Sequence, residues 1–414
     1  MIIMSNGVKK QLLKEIKSLK DRKGFLKAGL PKFDRLFGRD SLISAWQFLD
    51  WNPGIAKATV EILSQLQGKV INNEKEEEPG KILHETEGFF PFPYYGSVDS
   101  TPLYLILFSF YFKKTRGRRD KSLLPPSLRS GDRRFLKSRW ENILMALNWM
   151  TEYGDKDKDY FLEYQRKNPK GLFHQAWKDG FEDHLKIEPP VAMVEVQGYQ
   201  YLVLQEISDL AEMRKDFDLA KKLRERAKIL KEEFNKKFWM ESLDLSSSLS
   251  GLKPSYEKYF ALALNGKKKQ RKAITSNPGQ LLFTGIIEDN KVDFVVKKLF
   301  QPDLWTPFGI RSHSTKEPDF NSKSYHLGSI WPHDNWIIAQ GLKKLGYQKE
   351  YQEIKNVILS AFNQLGFLPE FYGVVDGKIT LEMEKKPCYP QAWATGTLFN
   401  FLNLKQRKSL GSTS

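Results

Sequence analysis

The sequence predicts an all-α protein organised as one domain over residues 1–404, and three observations carry that expectation. Apolar residues recur at spacings of three and four through Ile207, Leu210, Met213, Phe217, Ala220, Leu223, Ala227, Leu230, Phe234 and Phe238, with Lys, Arg and Glu between them. That is the period of one or two long amphipathic helices. Strand-like alternation is scarce, its clearest instance being 371–383, where Asp376-Gly377 supplies the turn of a short hairpin. The segments 24–40, 78–102, 168–190, 303–335 and 367–390 are long and rich in Gly, Pro and aromatic residues, whereas loops that only join helices are short and polar. Long aromatic loops recurring between helices suggest one wall of a carbohydrate-sized pocket.

Further helical patterns follow along the chain at 41–67, 103–112, 140–153, 336–345, 350–365 and 391–404. The tail 405–414, KQRKSLGSTS, carries no such pattern and is expected to fray. Hydrophobic residues make up 40% of the chain, enough for a large core, which excludes wholesale disorder. No run of eighteen apolar residues is present and residues 1–10 lack the pattern of a signal peptide, so no membrane span and a cytoplasmic location are expected. A single cysteine, Cys388, excludes an internal disulfide and a Cys-rich zinc site, and the six histidines show no ligand spacing. Neither a metal nor a cofactor is expected.

The chain carries a net charge of +16, of which +9 falls within 111–140. That segment also holds Gly117, Pro125-Pro126 and Gly131, the composition of an exposed loop. A dispersed basic face would point to nucleic acid; one local cluster reads as a solvated loop instead.

The loops gather Trp, Tyr, Asp, Glu and His into clusters: FGRDS at 37–41, YYGSVDSTP at 94–102, HQAWKDG at 174–180, VEVQGY at 194–199, WPHDN at 331–335 and QAW at 391–393. Sugars are bound by this mixture, because aromatic faces cover the C–H surface of the ring while carboxylates and Arg bond its hydroxyls. Phosphate-cradling glycine loops and a serine nucleophile elbow are absent from the sequence. Glycoside hydrolysis needs two carboxyl groups, and Asp40, Asp99, Asp179, Asp183, Glu195, Asp334 and Glu370 are candidates. Composition does not choose two from these seven.

Seven motifs in order, AGLPKFDRLFGRDSLI, YYGSVDSTPLYL, GLFHQAWKDG, VEVQGYQYLVL, GSIWPHDNWIIAQGL, LPEFYG and CYPQAWATG, resemble the amylo-1,6-glucosidase-like family of bacterial glycogen-debranching homologues. That family shares a clan with glucoamylase, trehalase and the mannosylglycerate and glucosylglycerate hydrolases. The resemblance implies an (α/α)6 barrel of twelve helices, with 9–23 as its first, and an inverting hydrolase site at one end. Many members carry a β-rich domain before the barrel; its lack here makes the chain more similar to the small-glycoside hydrolases of the clan.

By the same resemblance Asp179 is the general acid and Glu370 the general base, 6.5–9.5 Å apart as inversion requires. Asp179 is expected in an aromatic, poorly solvated setting beside Trp177, opposed by Lys178 unless that side chain points away. Phe37, Arg39 and Asp40 resemble the clamp on the non-reducing sugar, and Tyr94, Tyr95 and Asp99 a wall of the same subsite. Glu195, Gln197 and Tyr199 alternate as on one side of an extended loop, as sugar ligands or as a buried network. Trp331, His333 and Asp334 match the WPHDN loop, with His333 as an orienting partner, and Gln391 and Trp393 close the pocket. Cys388 reads as a packed apolar residue.

The expected function is exo-acting, inverting hydrolysis that releases terminal glucose from a short α-glucoside or glucosylglycerate-like substrate. An inverting phosphorylase and a non-catalytic sugar- or nucleic-acid-binding protein are the alternatives. The basic segment 111–140, if near the pocket mouth, would favour an anionic aglycone. Oligomeric state is not readable.

Overall fold

A computed structural model describes residues 6–116, 132–244 and 255–404. Among the described residues there are twelve helices: α1 (Asn6–Leu19), α2 (Gly38–Gln47), α3 (Pro53–Gln65), α4 (Ser100–Arg116), α5 (Asp132–Glu152), α6 (Val194–Met213), α7 (Phe217–Lys237), α8 (Asn277–Thr284), α9 (Asp289–Leu299), α10 (Pro332–Leu345), α11 (Gln348–Leu365) and α12 (Ala392–Phe401). The even-numbered helices each pack on the next even one, and α12 returns to α2, closing an inner ring. Each odd-numbered helix lies outside, against one or two inner helices. This is the (α/α)6 barrel.

Burial separates the two layers. Nine of the ten residues of α2, and nine of ten in α12, are buried, because an inner helix meets two inner neighbours and an outer one. The outer helix α7 buries only Ala220, Leu223, Ala227, Leu230, Phe234 and Asn235 of its 21 residues, a single stripe at helical spacing. Close inner packing needs small residues. A Cβ on Gly341 of α10 would lie 2.6 Å from the backbone nitrogen of Phe283 in α8, so no larger side chain fits without separating the two helices.

Two expected helical stretches are interrupted. Within 41–67 the chain breaks at residues 48–52, where the Asn52 side chain accepts from Gly54 N at 3.1 Å and Pro53 opens α3. The 207–238 stripe breaks at Lys215, which has φ +66°, and Asp216 caps α7 by accepting from Leu219 N at 3.2 Å. Both breaks use cap residues that the sequence displays. The expected hairpin forms as Gly373–Val375 against Lys378–Thr380, with Asp376 and Gly377 both at positive φ. A second hairpin pairs Trp239–Asp244 with Ser255–Phe260.

All inner helices begin at one end of the barrel, since an outer helix returns the chain after each. Bonds between their first turns ring that end: Arg39 to Asp99, Asn277 to Glu195, Gln280 to Asp334 and Gln391 to Asp40, with His333 stacked on Trp393. The helix N-termini there favour negative charge and oxygen ligands. The frayed-tail expectation (405–414) and half of the basic segment (117–131) lie outside the described residues. Helix α4, 17 residues long, carries the chain about 25 Å from Asp99 before that segment begins, toward the barrel's opposite end. The described residues therefore give no support to a basic pocket mouth built from 111–140.

Candidate active site

At the ring of N-termini lies a cavity of about 430 Å³, lined in part by Phe37, Arg39, Asp40, Tyr94, Trp177, Asp179, Trp331, Glu370 and Trp393. Its size fits a small sugar derivative. Three indoles form the floor: Trp177 meets Trp331 edge-on at 5.7 Å, and Trp331 meets Trp393 at 5.9 Å. Phe371 stacks behind Trp331 at 4.9 Å, and Trp331 donates to Tyr325 O at 3.0 Å.

Four carboxyl groups line this cavity; Glu85 is paired with Arg35, which leaves Asp40, Asp179 and Glu370, from distant parts of the chain. Glu370 sits on the loop after α11. Its Oε1 accepts from the Tyr325 hydroxyl and its Oε2 from the Cys388 backbone N–H, both at 3.0 Å. Burial nevertheless pushes its pKa up to about 7. Asp40, in the first turn of α2, accepts from Gln391 at 3.3 Å, and burial raises it further, to about 8. Asp179 is the most open of the three, with its side chain 22% exposed. The charges of Glu370 and Asp179 both raise Asp40, so Asp40 and Glu370 hold a proton between them near neutrality.

Asp179 is not in the apolar setting the sequence suggested. Arg39 donates to its Oδ2 at 2.7 Å, and to Asp99 and the Ala176 carbonyl at 2.6 and 2.9 Å. Arg39 thus lines the cavity with its donors committed to protein, and Asp99, further fixed by Ser97 at 2.7 Å, lies behind it rather than in the wall. Lys178 does point away: it is fully buried and donates to Ser312 O at 2.6 Å, and burial pushes it down to about 8.

Several other expected ligands serve the scaffold instead. The segment holding Glu195, Gln197 and Tyr199 is the start of α6, not an extended loop, so alternate residues are spread about 200° around the helix. Glu195 accepts from Asn277 at 3.0 Å, and Tyr199 bonds Gln280. Gln197 clamps the backbone of Leu162, donating to its O at 2.9 Å and accepting from its N at 2.8 Å. Tyr95 donates to Leu66 O at 2.8 Å, Asp334 accepts from Gln280 at 2.6 Å, and Gln391 tethers Asp40. His333, stacked at 3.8 Å on Trp393, is held well below the ordinary imidazole range by burial. None of these nine, counting Asp99 and Lys178, lines the cavity. Tyr94 does, although its hydroxyl accepts from Leu172 N at 2.8 Å and donates to Glu76 at 3.3 Å.

Sequence reasoning missed other lining residues, notably Lys32, Arg35, His84, Glu85, Phe89, Phe181, Tyr325 and Lys385. Lys32 and Arg35 sit inside the AGLPKFDRLFGRDSLI motif, and Tyr325 lies three residues before GSIWPHDN, so adjacency to a motif was a usable signal. Arg35 is paired with Glu85 at 3.0 Å. Lys32 and Lys385 have no carboxylate within ion-pair range among the described residues; Lys385 sits 4.3 Å from the Tyr325 ring centroid. Two carboxylate groups elsewhere have the spacing of a cation site, but protein cations already fill them. Lys268 pairs with Asp157 and Asp159 at 2.8 and 2.9 Å, and Arg271 with Asp319 at 3.2 Å. Cys388 is buried, and burial pushes its thiol up to about 12.

A family model described as the mannosylglycerate hydrolase MGH1-like glycoside hydrolase domain matches residues 127–400. The chain belongs to this glycoside hydrolase family. Mannosylglycerate hydrolase MGH1 of Selaginella moellendorffii is 30% identical to it over 74 residues, 18% of this chain and 15% of that protein. The chain thus matches only a short stretch of that curated relative. The GH63 mannosylglycerate hydrolase of Thermus thermophilus superposes over its full length on 96% of this chain. TM-scores are 0.68 for its complex with Tris and D-glycerate, at 12% identity, and 0.67 for its complex with glucose, at 13%. At such identity the likeness is one of fold. The motif-based resemblance therefore holds at the level of the clan and is corrected at the family: mannosylglycerate-hydrolase-like, not amylo-1,6-glucosidase-like. No helix among the described residues is long and apolar enough to cross a membrane.

Proposed function

We propose that the chain is an exo-acting, inverting hydrolase of short α-glycosides in which a hexose is joined to a small acidic aglycone. The observation that carries this reading is the placement of Asp179 and Glu370, far apart in sequence, on one sugar-sized cavity floored by indoles. Glu370 is the base. Tyr325 and Cys388 N fix its carboxylate, so it can take a proton from a water that attacks the anomeric carbon. Asp179, the most exposed of the three carboxyls, is the acid that protonates the leaving oxygen. Asp40, mostly protonated near neutrality, donates to a sugar hydroxyl. Retention of a fixed base favours water over phosphate as the acceptor.

The aglycone follows from charge. Lys32 and Lys385 line the cavity without carboxylate partners among the described residues, and a carboxylate on the leaving group would pair with them. Glucosylglycerate and mannosylglycerate have this form, and the glycerate-bound GH63 hydrolase accords with it. The test is turnover of glucosylglycerate, mannosylglycerate, maltose, isomaltose and trehalose, with and without phosphate. Lys385→Ala should lower kcat/KM for an acidic substrate by about ten-fold, the worth of one charged hydrogen bond, and leave neutral ones unchanged. Preference for neutral disaccharides, or dependence on phosphate, would contradict the proposal.

A further inference from the structure

A second cavity, of about 280 Å³, lies beside the first at the same end of the barrel, and the two share no lining residue. Its carboxylates are already committed. Glu76 accepts from Gln175 at 2.6 Å, from the Tyr94 hydroxyl at 3.3 Å and from the backbone N–H of Lys167 at 3.2 Å. Glu78 accepts from Trp149 at 2.8 Å and is paired with Lys167; Glu163 is paired with Lys268.

The cations are not committed in the same way. Lys81, only 6% exposed, donates to a backbone carbonyl, Glu76 O, at 3.2 Å and lies 3.8 Å from Glu78. Three ammonium hydrogens are served by one long bond and one distant ion pair, a costly arrangement for a buried charge. Burial holds Lys81 below the ordinary lysine range against the raising charges of Glu78 and Glu76, with Lys167 and Lys156 lowering it less. Arg166 lies over the Phe173 ring at 5.1 Å and its hydrogen bonds go to backbone carbonyls, Gly171 O at 3.4 Å and Phe181 O at 3.3 Å. Lys156 has no carboxylate within ion-pair range among the described residues. All three line the cavity.

We propose that this cavity binds a small oxyanion, a phosphate or a short hydroxycarboxylate, held by Lys81, Lys156 and Arg166. Tetrahedral or planar oxygens between an ammonium pair and a guanidinium would complete the donors that the protein leaves open. The position matters for function, because Gln175 and Phe181 bracket Asp179. An anion that binds Arg166 engages the group holding Phe181 O, while Glu76 on the same wall holds Gln175.

Calorimetric titration at fixed ionic strength, with inorganic phosphate and D-glycerate as separate probes, tests this. One saturable site is expected for phosphate, and for D-glycerate one that persists in Lys385→Ala protein, where the first cavity has lost its aglycone contact; each is weakened about ten-fold or more by Lys81→Met and by Lys156→Ala. Lys156 is exposed, so its substitution keeps the test open even if Lys81→Met does not fold. The tighter probe identifies phosphate or carboxylate as the natural chemistry. No saturable binding of either probe, or binding that both Lys81→Met and Lys156→Ala leave intact, would overturn the proposal.

Discussion

At Glu370 two hydrogen bonds favour the ionised carboxylate while burial opposes it, and burial wins, leaving the pKa at about 7. A base must be ionised, so turnover should fall as pH drops through about 7. Tyr325→Phe removes one bond to the ionised form, which raises the pKa further. The acidic limb of kcat/KM should then move to higher pH, by up to about one unit, and an unmoved limb would remove Tyr325 from the account. Glu370→Gln and Asp179→Asn should each lower kcat by about 10²–10⁴-fold, with circular dichroism unchanged. Residue identities at the site were half legible. Asp40, Asp179, Glu370 and the three indoles all sit in the seven motifs and line one cavity, Asp40, Trp331 and Trp393 at the starts of inner helices and Trp177, Asp179 and Glu370 within the long loops. Motif matching overreached with Glu195, Gln197 and Tyr199, which open α6 and bond Asn277, Leu162 and Gln280 instead of lining the cavity.

The inner helices are held by side chains that bond the loops between them, and Gln197 is the clearest case. Its amide satisfies both backbone groups of Leu162 and also donates to Met193 O at 3.0 Å. Gln197→Ala should therefore destabilise the protein by about 2–4 kcal/mol, the cost of leaving buried polar groups unpaired, with little change in KM. A raised KM at unchanged melting temperature would instead make it a sugar ligand. Helical periodicity was readable in inner and outer helices alike, the outer ones showing a stripe that the solvent face makes visible. Helix α9 has that stripe in Val292, Val295, Val296 and Leu299 and was still passed over. Helix α8, NPGQLLFT, was not legible: it is short, opens with Pro and Gly, and is buried on nearly every side, so no polar face marks its period.

Closure of the ring is a property of the whole molecule, and it buries charge at the barrel's axis. Asp40, Glu195 and Glu370 are all raised by burial, to about 8, 7 and 7. Groups raised in the folded state give stability that is complete below the ordinary carboxylate range and is lost as pH rises through about 7 to 8. Glu195→Gln keeps the oxygen that accepts from Asn277 and removes the charge. It should raise the melting temperature by a few degrees at pH 8.5 and hardly at all at pH 5, as scanning calorimetry would record. Equal effects at both values would mean that Glu195 ionises freely when folded. The barrel itself was expected from seven ordered motifs rather than from periodicity, which yields helices but not their closure into a ring. The central claim is that one cavity holds an acid and a base for inversion, and proton NMR of the first-formed hexose tests it most directly. An α-glycoside should yield the β-anomer before mutarotation, and Asp179→Asn should yield none. Early α-anomer, or undiminished turnover in Asp179→Asn, would contradict it.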